Sequence, residues 1–362
     1  MKFVEVVSDD SASVIELMRE QWESMVGMAA MFVGTIAIGL FIQPAWNFEE
    51  AKAFGEEGSS EASNILFELM MIGIFTVVII WLARKGLGAI IKGFVMFALG
   101  LSLFYSVLPF TNLFLYLLNL DSTASVFGGA LIITIAAEIF LYLYPEWWVV
   151  NSVGVMVGSG VIVMIGISFV PTLVIFFMIL AAVYDYWAVH KSKHMLELAD
   201  TMIGLKLPVL LVSPKEKGYS FLDQEADIMR RIDPQDVQIS PNLPDVKLIP
   251  KKKSRDALFM GLGDVIFPGM LVISAVTYLP DWGGEVWNIF GVMYLAPLIV
   301  GIGTLVGGLF GYMALMTFVA QGNPQPGLPL LNGGAILGYT ITGIIVVGPS
   351  QLFQSITFLG LL

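Results

Sequence analysis

The chain holds no cysteine, only two histidines and little charge, and each scarcity removes a class of chemistry. Without cysteine among 362 residues there are no disulfides, thiol nucleophiles or thiolate-ligated metal sites. Charged residues make up 13% and hydrophobic residues 57%, with a mean hydropathy of +0.83. That composition excludes a soluble domain of this size and points to a polytopic membrane protein. The net charge of −11 reads as a solvated acidic surface of loops and gives no support for nucleic-acid binding. The opening carries Glu5, Asp9, Asp10, Glu16, Glu20 and Glu23, so no cleavable signal peptide is expected there, since one would start basic.

Runs of about 20 apolar residues can cross a bilayer. They are read near 25–46, 65–83, 90–108, 125–144, 149–169, 171–189, 257–279, 295–320 and 334–347. The fold class expected is an all-α polytopic membrane protein with nine transmembrane helices. A cytoplasmic segment (1–24) precedes helices one to six (25–189). A cytoplasmic loop (190–255) follows, then helices seven to nine (256–347) and an apolar tail (348–362). The tail lies on the membrane or extends the ninth helix. In the loop, 190–205 keeps helical apolar spacing and prolongs the sixth helix, Pro208 to Val212 reads as a short strand, and 213–253 has the composition of a disordered linker.

Basic residues set the orientation. With the N-terminus in the cytoplasm, 17 of the 18 fall inside and only Lys52 outside, and none lies beyond Arg255. The C-terminus then lies outside the cell membrane. Gly303, Gly307 and Gly311, like Gly154 and Gly158, recur every four residues and mark close helix packing, either inside one bundle or in a homo-oligomer.

Two acids break the apolar runs. Asp185 follows Tyr184 near the end of the sixth, and Asp264 closes Gly261-Leu262-Gly263-Asp264 in the seventh. Each costs about 2.5–3.5 kcal/mol on insertion scales, so each needs a polar partner, and the other aspartate is the obvious one. Counting along the runs puts Asp185 about 7–8 Å from the cytoplasmic end of its helix and Asp264 about 13 Å from the start of its own. Adjacent carboxylates titrate as a pair that shares one proton: the charged member activates water and the neutral one hydrogen-bonds a carbonyl. Such a pair hydrolyses a peptide bond with neither metal nor cofactor. Gly261 and Gly263 leave room beside it for another backbone, and Pro268 disturbs the carbonyl of Asp264.

These motifs, with the later Pro326-Gly327-Leu328-Pro329, resemble the Tyr-Asp, Gly-x-Gly-Asp and Pro-Ala-Leu signatures of the presenilin and signal peptide peptidase family of intramembrane aspartyl proteases. Motif order, helix count and the long loop between helices six and seven fit as well. Tyr142 to Trp147 and Asn323 to Gly334 look most like the archaeal presenilin homologues. Pro268-Gly269 is similar to the peptidase branch, while the orientation is presenilin-like. Gly327 departs from the alanine of the signature. The resemblance implies catalysis by Asp185 and Asp264, with Tyr184, Gly261 and Gly263 in support and Pro326, Gly327, Leu328 and Pro329 positioning substrate. It implies single-span transmembrane proteins as substrates, within the lipid bilayer.

Other sites weigh less. His190 and His194 stand four apart beside Glu197, but among lysines at the membrane edge, so no metal site is assigned. No His-Glu-x-x-His appears, and no histidine lies in a span to serve a serine protease. Glu138 is read as hydrogen-bonding a neighbouring helix. The rival function is an ion-coupled transporter or a cation leak, but the two halves show no inverted repeat.

Overall fold

The computed structural model describes residues 18–19, 21–188, 209–215, 218–221, 257–320 and 326–357. The helix expected over 190–205, the pair His190 and His194, and most of the loop up to 256 lie outside the described residues.

Among the described residues the long helices are α1 (Trp22–Trp46), α2 (Ala62–Arg84), α3 (Gly88–Leu117), α4 (Thr123–Leu143), α5 (Trp147–Gly166), α6 (Pro171–Trp187), α7 (Leu262–Tyr278), α8 (Leu295–Ala320) and α9 (Leu328–Val346). Seven are long and apolar enough to cross a membrane; α6 and α7 are apolar but have only 17 residues each. Helix α3 runs past its expected end at 108, through Pro109 to Leu117. A proline there removes one ladder bond, which an apolar helix packed among others tolerates.

Helix α5 is the axis of the bundle, because its small residues admit neighbours from several sides. A methyl on Gly158 would lie 2.9 Å from the side chain of Thr35 in α1. One on Gly166 would lie 2.6 Å from Ile273 in α7, and one on Gly160 would meet the Ser102 carbonyl in α3. Ser106 and Ser159 share a buried hydrogen bond of 2.9 Å across the α3–α5 contact. The glycine ladder of α8 lies against α9: Gly307 faces the backbones of Gly334 and Gly338, and Gly311 faces Leu330 and Leu331. That ladder therefore serves contacts inside the bundle.

Three expectations are corrected. The apolar run 257–279 is not one helix: Ala257–Gly261 is a strand, β2, paired antiparallel with β1 (Leu210–Pro214) in the register Leu210 to Gly261. The disordered linker expected over 213–253 does not hold at its start, because Ser213 and Pro214 belong to β1 and Phe221 is fully buried. Ser24 Oγ donates to the Pro214 carbonyl at 2.6 Å, and Glu146 accepts from Ser220 Oγ at 2.5 Å and from the Phe221 N–H at 3.1 Å. The tail does not extend α9. Gly348, at φ +85°, ends the helix; Gln354 bonds Thr172, and Thr357 bridges Glu61 beside the start of α2. A second hairpin, β3 (Glu285–Asn288) and β4 (Gly291–Tyr294), links α7 to α8 and rests on the end of α1 through Asn288 Nδ2 to the Phe41 carbonyl at 3.1 Å.

Candidate active site

Both aspartates sit at helix ends. Asp185 is in the last turn of α6, and Asp264 is the third residue of α7, in its first turn. The 13 Å depth expected for Asp264 came from reading β2 as helix. With the strand removed, the two acids come level.

The Gly-x-Gly-Asp stretch is a helix start. Gly261 is the N-cap, in extended conformation, and the Asp264 carboxylate three residues on lies beside it: a methyl on Gly261 would be 3.5 Å from Oδ2. Gly263 faces open space: nothing lies within 4 Å of where its methyl would be.

The start of α9 closes the site. Leu328, its first residue, donates its backbone N–H to Asp185 Oδ2 at 3.2 Å. One residue earlier, a methyl on Gly327 would lie 2.8 Å from Asp264 Oδ2. Gly327 has φ −75° and ψ −43°, which any residue adopts, so glycine is needed here for space alone. Two consecutive residues thus touch both carboxylates, which lie within electrostatic reach of each other. Asp185 is 6% exposed. Asn332 Nδ2, one turn into α9, donates to the Met178 carbonyl of α6 at 3.0 Å and fixes this approach. Pro326 is buried and Pro329 half-buried in the first turn of α9. Tyr184 is 42% exposed, with its ring centroid 6.3 Å from that of Trp187.

The residues missed in the sequence support the sheet. Asn151 of α5 clasps Val212 twice, donating to its carbonyl at 2.7 Å and accepting its N–H at 2.8 Å. A lone asparagine inside an apolar run is a signal of this kind. The clasp occupies the outer edge of β1. In the same register Leu262 N–H bonds the Val209 carbonyl, and alternation turns the backbones of Ala257 and Phe259 to the far edge of β2. That edge leads to Gly261 and Asp264.

A family model described as "Signal-peptide peptidase, presenilin aspartyl protease" matches residues 28–348. The chain belongs to that family. Two solved structures of a presenilin family intramembrane aspartate protease are similar to it. The one in space group C222 has 29% identity and a TM-score of 0.56, covering 89% of this chain and 99% of its own. The other, in P2, has 29% identity and a TM-score of 0.54, covering 88% and 97%. No curated protein matches. Membership in a family of membrane aspartyl proteases accounts for several apolar helices around a recessed pair of acids.

Proposed function

We propose that this family member is an intramembrane protease of the Gly-x-Gly-Asp type, with Asp185 and Asp264 as its catalytic pair. The observation that carries the reading is the contact of Gly327 and Leu328 with both carboxylates. All nine long helices cross the membrane in this reading. At 17 residues α6 and α7 span only about 25 Å, less than a hydrocarbon core of about 30 Å, which recesses their ends and draws water toward them. The basic residues orient the N-terminus, the 190–255 loop and both aspartates to the cytoplasmic side and the C-terminus outside.

In the reaction the charged carboxylate takes a proton from water as its oxygen attacks the scissile carbonyl carbon. The neutral carboxyl donates its proton to the carbonyl oxygen. Collapse of the resulting diol breaks the C–N bond: the nitrogen leaves with a proton returned by the first carboxyl, and one diol hydroxyl gives its proton back to the second carboxylate. A transmembrane helix must unwind before this is possible, and its freed backbone groups then need partners. The far edge of β2 supplies them by strand addition, laying the substrate beside Asp264 and the 326–329 segment. Tyr184, Gly261 and Gly263 support the pair in this reading, Gly261 from its place beside the Asp264 carboxylate.

The test is cleavage of a single-span helical substrate by the purified protein alone. Cleavage that is blocked by an aspartyl-directed transition-state analogue and lost in Asp185→Asn and in Asp264→Asn is expected. Full activity in either single variant would sink the pairing.

A further inference from the structure

Away from the aspartates, α3 and α4 enclose a cleft of about 410 Å³ lined by Lys92, Gly93, Met96, Glu138, Ile139 and Tyr142 among others. Its volume falls in the range of small-molecule pockets. Lys92 lies in the first turns of α3 and Tyr142 in the last turn of α4, so they mark one end of the cleft, with the ammonium 4.3 Å from the ring centroid. Glu138 lies one helical turn, about 6 Å, further in.

Glu138 is not the interhelical hydrogen-bonding residue the sequence led us to expect. Its Oε1 is buried with no hydrogen-bond partner among the described residues, and so is Oγ1 of Thr134, one turn deeper on the same face. Gly100 makes the seat for this carboxyl: a methyl there would lie 2.8 Å from Glu138 Cδ. An acid held inside a span without a partner is a site in want of a ligand. The proposed catalysis makes no use of it.

The cleft thus offers a cation at its mouth, a hydrogen-bond acceptor one turn inward, and Gly93 and Met96 between them. The matching ligand carries an anion at the membrane surface and a hydrogen-bond donor just inward of it. A diacyl phospholipid has the phosphate, but the glycerol oxygens inward of it are esterified and donate nothing. Removing one chain frees a glycerol hydroxyl at that depth.

We propose that the α3–α4 cleft binds a single-chain anionic amphiphile of the lysophospholipid class. Its phosphate pairs with Lys92, its free glycerol hydroxyl donates to Glu138, and its acyl chain follows the groove between the helices. This binding is independent of Asp185 and Asp264.

Native mass spectrometry of the full chain from detergent tests it with four added ligands. These are lysophosphatidylglycerol, diacyl phosphatidylglycerol, a monoalkyl phosphate (anion without hydroxyl) and a monoacylglycerol (hydroxyl without anion). The first should bind about tenfold more tightly than each of the others, as expected for one charge-assisted hydrogen bond. Lys92→Gln should reduce it to the level of the monoacylglycerol, and Glu138→Leu to that of the monoalkyl phosphate. Gly100→Ala, which displaces the carboxyl, should behave as Glu138→Leu does. Equal binding of all four by the wild type overturns the proposal, as does unchanged selectivity in Lys92→Gln, a helix-end change that leaves the core intact. A photocrosslinker at position 139 that captures a substrate helix in preference to lysophosphatidylglycerol overturns it as well.

Discussion

Helices α8 and α9 touch backbone to backbone, whereas α2 touches little along its length. Gly303, Gly307 and Gly311 admit α9 so closely that a methyl at Gly307 would collide with the Gly334 carbonyl. On α2 a methyl at Gly73 would meet nothing within 4 Å, and only 11% of its apolar span is buried, against 67% for α5. The same residue type therefore serves opposite ends. In one place glycine is demanded by a neighbour, and in the other it only lowers helix propensity. The dense half carries Asp185, Asp264 and the start of α9, so precision is concentrated where the proposed chemistry is.

The strongest way to break this contrast is to change chemistry without changing shape. Asp185→Asn and Asp264→Asn should each lower cleavage by about 10³-fold or more. Both should keep the wild-type melting temperature in detergent, because asparagine keeps the shape of aspartate and at 185 can still accept the Leu328 N–H bond. The wild-type pH–rate profile should be bell-shaped, with limbs belonging to the pair. A rate independent of pH between 4 and 9 would remove the paired acids from the mechanism.

Packing comes next. Gly307→Ala should destabilise by about 3 kcal/mol, since the obstructing atoms are backbone and cannot turn aside. Gly73→Ala should instead stabilise by about 0.5–1 kcal/mol through propensity alone. Thermal unfolding of both in one detergent checks the pair, and equal shifts would mean that α2 packs as α9 does.

Asn151→Ala removes both bonds that hold Val212 and leaves that buried backbone unsatisfied, at a cost of about 2 kcal/mol. If the sheet orders substrate, KM for a helical substrate should rise while a small active-site inhibitor still binds. Inhibitor and substrate losing affinity together would reduce Asn151 to a general prop. The smallest effect belongs to Gly327→Ala, which restores the family's alanine. The Asp264 carboxylate must give way by a few tenths of an ångström, so kcat should fall several-fold, given that about 1 Å of misplacement costs about 10²-fold. Wild-type kcat in this variant would show that the carboxylate moves freely.

Much of this was legible in the sequence for physical reasons. Acids in apolar runs are conspicuous, whereas the start of α9, expected at 334, lies at Leu328. The limits of α8 were read to the residue. The start of α7 was not, because Ala257-Leu258-Phe259-Met260 is as apolar as a helix and periodicity does not separate a buried strand from one. The hairpin Glu285–Tyr294 escaped notice for want of length. Asn151 and Glu146 were passed over because their partners lie far along the chain, across β1 and the segment at 218–221. The Gly327 contact depended on tertiary approach, which no local pattern carries.

The return of the chain end to α2 has a mechanical consequence. Thr357 accepts the Ala62 N–H at 3.0 Å and donates its own to Ser60, and Val170, just before α6, bonds Ser59. These ties gather at the N-terminal end of α2, beside the N-terminal end of α6. The opposite end of α2 therefore lies toward the end of α6 that bears Asp185. A rod clamped at one end and sparsely supported beyond it swings widest at the other, so α2 is held as a cantilever whose free end lies on the side of the proposed catalytic pair. Cutting or modifying the last few residues would loosen the clamp, making the end of the chain a lever on a helix near its beginning.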